Sequence, residues 1–496
     1  MDRRKFLKGA AAMVAMGGSS FFNQALAKTA PLGPYLAPWT GEHGGVPPFD
    51  KLKTSEVKAA LLQGMDLKRL ELETLTSNKE APSFKNTIAS LEGCGRPLDR
   101  AIRFFDIFTS SMNDKTMQAI ESEITPILQK FDDEVIQNQA LFDRIKTVYE
   151  KLDQEKLNAE QERLTEVIYK HFARKGAGLD SKKKERLAKI NEKLATLYTD
   201  FRHNQLADEE DHCLVIEDEA DLDGLSDDLR KAAAAQAESS KLTGKWVITN
   251  TRSSMEPFLS FSSRRDLREK GWRIWTKRGD NNDKHDNKKI ISEILKLRAE
   301  RAQLLGFPTH AHWSLDNNMA KTPEAALDLM KRVWKASIAR ACEEVADMQA
   351  IADKEDAKIT IEPWDYRYYA EKVRKEKYDL DQNEVKEYLQ LDKILEGMFF
   401  AANQVFGLEM VKLEGLPVIH PDITVYEVRR DGKQVGLWYF DPYARDGKHS
   451  GAWMNEYRTQ EKYDEPILPI VSNNANFVKG KAGEPTLISC DDATTL

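Results

Sequence analysis

Metal-assisted peptide hydrolysis asks for two histidines one helical turn apart with a glutamate beside the first, so that both imidazoles face one metal. The nine histidines are His43, His171, His203, His212, His285, His310, His312, His420 and His449, and none is followed by glutamate. The 496 residues therefore contain no His-Glu-x-x-His. His310-Ala311-His312 follows Pro308 and Thr309 and lacks an obvious third ligand, so it reads as a surface turn. His203 and His212 flank Asp208-Glu209-Glu210-Asp211, which reads as a solvated acidic loop. A calcium loop would need a central glycine and a closing bidentate glutamate that this spacing lacks. The chain has no Gly-x-Ser-x-Gly elbow, phosphate-binding loop or dinucleotide fingerprint. Cys94, Cys213, Cys342 and Cys490 are scattered without a Cys-x-x-Cys pair and read as buried free thiols. Taken residue by residue, no complete catalytic apparatus is present.

The elements that would position such groups are mostly helical. At 496 residues, with 31% charged and 41% hydrophobic, the chain fits a helix-rich globular protein of more than one subdomain. A net charge of −7 and a pI near 5.9 give no reason to expect nucleic acid as a partner. No stretch has the apolar length of a spanning helix.

Residues 1–27 differ from the rest. Arg3-Arg4-Lys5-Phe6-Leu7-Lys8, a mildly apolar run to Phe22 and Ala25-Leu26-Ala27 give a basic region, a short apolar region and a small-x-small cleavage site. The paired arginines read as a twin-arginine export signal, with cleavage after Ala27 and a periplasmic location.

Residues 28–48 read as an extended Pro/Gly-rich lead-in. From Thr54 to about Ser226 the period is helical, clearest where Leu187, Ile190, Leu194, Leu197 and Phe201 follow a capping Ser181. "KWVITN" and "FLSFSS" predict a hairpin near 242–262. Thr322-Pro323 starts a long helix, with Leu327, Met330, Trp334, Ile338, Ala341, Val345 and Met348 along one face. Asp431-Gly432 between two β-rich runs predicts a tight hairpin over 423–440, and residues 467–478 add a further strand. The expected division is 28–241 as an N-terminal helical domain and 242–496 as a second domain carrying both β regions.

Several long stretches resemble one family. "LRAERAQLLGF" (297–307), "MAKTPE" (319–324), the segment 363–399 beginning "PWDYRYYAEK", and "GLWYFDPYARDGKHSGAWM" (436–454) are similar to the thimet-oligopeptidase family of zinc metallopeptidases. The likeness runs from Phe49 onward and is strongest to the peptidyl-dipeptidase and oligopeptidase A branches. It implies a mainly α fold, a two-lobed helical body with a small antiparallel sheet, and release of C-terminal dipeptides from short peptides. It also implies one catalytic zinc.

The final "PTLISCDDATTL" (485–496) reads as an apolar run followed by the cap and first turn of a helix. In the family the matching stretch leads into the zinc-binding His-Glu-x-x-His. The resemblance thus implies a truncated catalytic lobe, with no catalytic residue and no metal ligand among these residues and no zinc bound by this chain alone. The partners implied are short peptides and a C-terminal fragment bearing the zinc helix; the alternative is a non-catalytic peptide-binding remnant. Gly451, Ala452 and Trp453 match the family's substrate-binding strand. A sheet cut from its missing neighbours is expected to expose Leu437, Trp438, Tyr439, Ile467 and Phe477, and the segment after Pro421 to be the least stable.

Overall fold

The computed structural model describes residues 32–154, 156–379, 382–480 and 483–496. The export signal and the Ala27 cleavage site lie outside the described residues. Among these, the chain is mainly α, with a two-stranded sheet and a five-stranded one. No helix among the described residues is long and apolar enough to cross a membrane.

The helices form where the period and caps predict them. Asp114 accepts from Met117 N at 2.8 Å to start Lys115–Ile136. The long helix Ser181–Asp211 is capped one residue earlier than expected, by Asp180 accepting from Lys183 N. Thr322 caps Pro323–Lys354 as predicted. The final helix, Cys490–Thr495, is capped by Ser489. His310 opens a short helix, His310–Leu315, where a turn was expected.

The predicted 242–262 hairpin does not form. Strand β2 (Trp246–Ile248) pairs antiparallel with β1 (Leu214–Ile216), more than thirty residues upstream. The "FLSFSS" run lies instead at the end of the helix Arg252–Phe261. Met255, Phe258 and Leu259 recur at steps of three and one, which puts them on one helical face, buried with Leu214, Ile216 and Ile248. That shared core outweighs the β-propensity of the phenylalanines.

The five-stranded sheet comprises β3 (Leu408–Leu413), β4 (Thr424–Arg430), β5 (Lys433–Tyr443), β6 (Trp453–Arg458) and β7 (Ile470–Phe477). Its order is β3-β4-β5-β7-β6, antiparallel except for the parallel β5/β7 pair. The 423–440 hairpin forms with Asp431 and Gly432 both at positive φ, the backbone such a two-residue turn needs. Alternation along β5 splits its side chains between two cores. Leu437 and Tyr439 pack with Tyr35, Phe49, Phe104 and Tyr457. Trp438 and Phe440 pack with Leu391 and Leu395 of the helix Leu391–Phe406, and with Phe477.

That two-sided cover overturns the expected exposed patch. Leu437, Trp438, Tyr439 and Phe477 are buried, and Ile467 is half-buried. The apolar surface left open lies elsewhere, on Pro323–Lys354 and on the end of Leu391–Phe406, where Trp334 is 65% and Phe400 67% exposed. Of the four cysteines, all free, only Cys94 is buried; Cys342 is exposed.

Candidate functional site

The segment from Asp441 to Trp453 leaves the sheet at β5, crosses to the helix Arg96–Ser111 and returns as the edge strand β6. Ionic contacts inside the loop hold it. Arg445 donates to both Asp441 oxygens, at 2.7 and 2.8 Å. Lys448 Nζ lies 2.9 Å from Asp441 Oδ1 and donates to the carbonyls of Asp441 and Tyr443. Burial pushes the Lys448 ammonium down to about 8. Backbone contacts dock the loop on the helix end: Asn113 N donates to Gly447 O, and His449 N to Ser110 O.

The next turn is built on Gly451, whose φ of +97° suits a residue without Cβ. Asn476 Nδ2, on β7, donates to the carbonyls of His449 and Gly451 at 2.8 and 2.7 Å. Gly451 and Ala452 are exposed, and Trp453 is half-buried as β6 begins. The structure thus brings the three predicted site residues together at one rim.

Among the described residues, strand β6 has β7 on one side and no strand on the other. The outer edge is blocked at one point, where Arg103 Nη1 donates to Glu456 O at 3.0 Å. Alternate residues of a strand turn their backbone groups the same way. The amide and carbonyl of Met454 therefore face the same open side as the Glu456 carbonyl. Beside them is a cleft of about 440 Å3 lined by Asp106, Thr109, Ser110, residues 449–453 and Asn455.

The cleft wall carries charge that the sequence did not flag. Asp106 is exposed toward the cleft, yet the helices and loop crowded around it strip enough water to raise its carboxyl to about 6, with Glu121 adding to it. Glu121 itself is buried, yet His203 Nε2 and Arg202 Nη2, each 2.8 Å away, hold it below the usual range against that burial. His449 is lowered, mainly by burial. The useful signal for Asp441, Arg445 and Lys448 lay in the charges of "FDPYARDGKHSGAW"; nothing local marked Asp106 or Glu121, which come from distant helices.

These groups do not suit a catalytic zinc. Glu121 and His203 are committed to each other and to Arg202, and no His-Glu-x-x-His supplies a ligand pair with a general base. Among the described residues one group of metal-binding type converges, Asp208, His212 and Asp283, and none of the three lines this cleft.

Comparison with known proteins bears on all of this. Residues 258–496 match the model for peptidase family M3. The chain is 36% identical over 465 residues to dipeptidyl carboxypeptidase of Escherichia coli K12, covering 93% of this chain and 67% of that protein. It is 34% identical to dipeptidyl carboxypeptidase of Salmonella typhimurium, covering 91% and 66%. Oligopeptidase A of Escherichia coli K12 is 28% identical, covering 91% and 67%. The chain thus spans about two thirds of the length of these relatives.

Proposed function

This chain belongs to peptidase family M3, a family of zinc metallopeptidases, and we propose that its share of peptide hydrolysis is to hold an extended substrate along β6. The observation that carries this is the open edge of β6 at Met454 beside the cleft that Ala452 and Trp453 line. An extended peptide gains main-chain hydrogen bonds there by adding a strand, and the exposed Gly451-Ala452 pair lets its backbone come close. The similarity to dipeptidyl carboxypeptidases supports short peptides as the substrate class and removal of C-terminal dipeptides as the reaction.

No step of bond cleavage is assigned to the cleft residues. The zinc of the family supplies the hydrolytic chemistry when bound, and the 496 residues lack its ligand motif. Within these residues the role we read is holding the substrate, since the ligand motif of the family's zinc is not among them. A non-catalytic peptide-binding protein is the second reading, favoured by the sheet's cover on both faces from within this chain. Export by the twin-arginine route to the periplasm, with cleavage after Ala27, completes the proposal; Arg3→Lys with Arg4→Lys should abolish periplasmic accumulation.

The test is anisotropy of a labelled short peptide with the wild-type chain and Met454→Pro. Proline removes one N–H on the open side and leaves the β7 pairing intact. Saturable binding weakened at least tenfold by the substitution is expected. Equal binding by both proteins would refute the edge-strand reading. Adding a separately made C-terminal fragment with the zinc motif should then give chelator-sensitive dipeptide release; if none appears, the second reading stands.

A further inference from the structure

The run Asp208–Asp211, expected to be a solvated acidic loop, is the end of the Ser181–Asp211 helix, with the Asp208 side chain fully buried. Asp208 and His212 are one turn apart and share a face. The loop after Thr276 brings Asp283 to the same place. His212 Nε2 lies 3.4 Å from Asp208 Oδ1 and 3.4 Å from Asp283 Oδ2.

Two details set this group apart from an ordinary ion pair. First, Asp208 Oδ1 is buried and has no hydrogen-bond partner. A buried carboxylate oxygen without a donor is costly, and a charge-assisted bond from an imidazolium would close to about 2.7–2.9 Å. Second, the other oxygen of each carboxylate is pinned by backbone. Gly279 N donates to Asp208 Oδ2 at 2.6 Å, with Asn281 Nδ2 at 2.8 Å, and His285 N donates to Asp283 Oδ1 at 2.8 Å. Each carboxylate therefore turns its other oxygen toward the same imidazole nitrogen, Asp208 Oδ1 without any hydrogen-bond partner and Asp283 Oδ2 with only the long 3.4 Å contact to His212. This is how outer hydrogen bonds orient monodentate metal ligands.

We propose that Asp208, His212 and Asp283 form a divalent-cation site of the zinc class, separate from the family's catalytic centre. Two bonds of about 2.0–2.1 Å meeting at a tetrahedral angle set their donor atoms roughly 3.3–3.4 Å apart, which matches both measured separations. One nitrogen with two carboxylate oxygens selects zinc over calcium or magnesium, and leaves a fourth position for water. This departs from the expectation above that the chain alone binds no zinc, which rested on the absence of the family's ligands; these residues offer a different place.

The site's role is positional. It fastens the loop 277–287 to the helix end, and the neighbouring residues carry the effect to the cleft. Arg278 on that loop pairs with Glu209, and Ser450 Oγ on the cleft rim donates to Glu209 Oε1 at 3.4 Å. A bound cation thus fixes one support of the Gly451 turn.

Tag-free, chelator-stripped protein is titrated with Zn2+ by calorimetry, alongside His212→Ala and Asp283→Ala. Both side chains are more than a third or about a third exposed, so the variants should fold, and circular dichroism checks this. One Zn2+ per wild-type chain is expected, with affinity at least tenfold lower in each variant. Zn2+ should raise the melting temperature of the wild type alone. No stoichiometric binding, or equal binding by folded variants, overturns the site and marks the cluster as an ion pair.

Discussion

Lys448 and Asp441 meet 2.9 Å apart, ammonium to carboxylate, with neither side chain more than 1% exposed. Arg445 shares the same carboxylate, so two cations lean on one buried anion at the root of the Gly451 turn. Asp441→Asn would leave both without a counter-charge. Removing one partner of a buried pair costs about 3–5 kcal/mol, and urea denaturation should show a loss of that size. A change below about 1 kcal/mol would mean that water reaches the network.

The same lysine makes a pH prediction. Its folded pKa is depressed to about 8 from 10.5, so between these values the unfolded chain keeps a proton that the folded chain has lost. Stability from this group therefore rises as pH climbs through about 8 and is flat below it. Urea midpoints for wild type and Lys448→Met between pH 7 and 9.5 test this. The wild type should gain relative to the variant as pH rises; parallel curves would show that Lys448 titrates normally.

Asp106 loses its proton near pH 6, so the cleft becomes more negative above that value. A peptide with an acidic side chain in the cleft should bind more weakly as pH rises through about 6. In Asp106→Asn that limb should vanish. Anisotropy titrations from pH 5 to 7.5 would decide, and an unchanged limb in the variant would place the titrating group elsewhere.

Gly451 sets the direction in which the chain enters β6. A Cβ there would meet nothing within 4 Å, so Gly451→Ala is opposed only by backbone conformation, φ +97°. The expected cost is about 1 kcal/mol of stability, with a larger proportional loss of peptide binding as the turn relaxes. Equal small losses in both would separate the turn from recognition.

How much of this was legible depended on how local each cause was. Asp431-Gly432 specified its hairpin because two positive-φ residues in a row leave few alternatives. Helix periods were legible for the same reason, even where Asp180 rather than Ser181 supplied the cap. The 242–262 hairpin failed because β2 takes its partner from Leu214–Ile216 and the following residues bury as a helix. Gly451, Ala452 and Trp453 were singled out by resemblance alone, with no local signal in their spacing. Asp106, Glu121 and Asp283 reach their places from other elements, and only three-dimensional structure could bring them in.

The exposed face of Pro323–Lys354 reverses the expected order of fragility. Only Met348, Ile351 and Ala352 of its 32 residues are buried, all near its C-terminal end. Leu327, Met330, Trp334 and Ile338 follow the predicted stripe yet stay 47–65% exposed. By contrast β4, β5 and β7 are covered on both faces. Local opening free energy follows buried apolar contact, so the first half of this helix should open long before the sheet. Limited proteolysis should therefore cut first between about residues 317 and 345, leaving 421–477 protected. Trp334→Glu should reduce binding of a hydrophobic dye without lowering the melting temperature, because the indole is 65% exposed and its removal uncovers little. Early loss of the segment after Pro421, with 317–345 intact, would show that the sheet's cover is weaker than its packing implies.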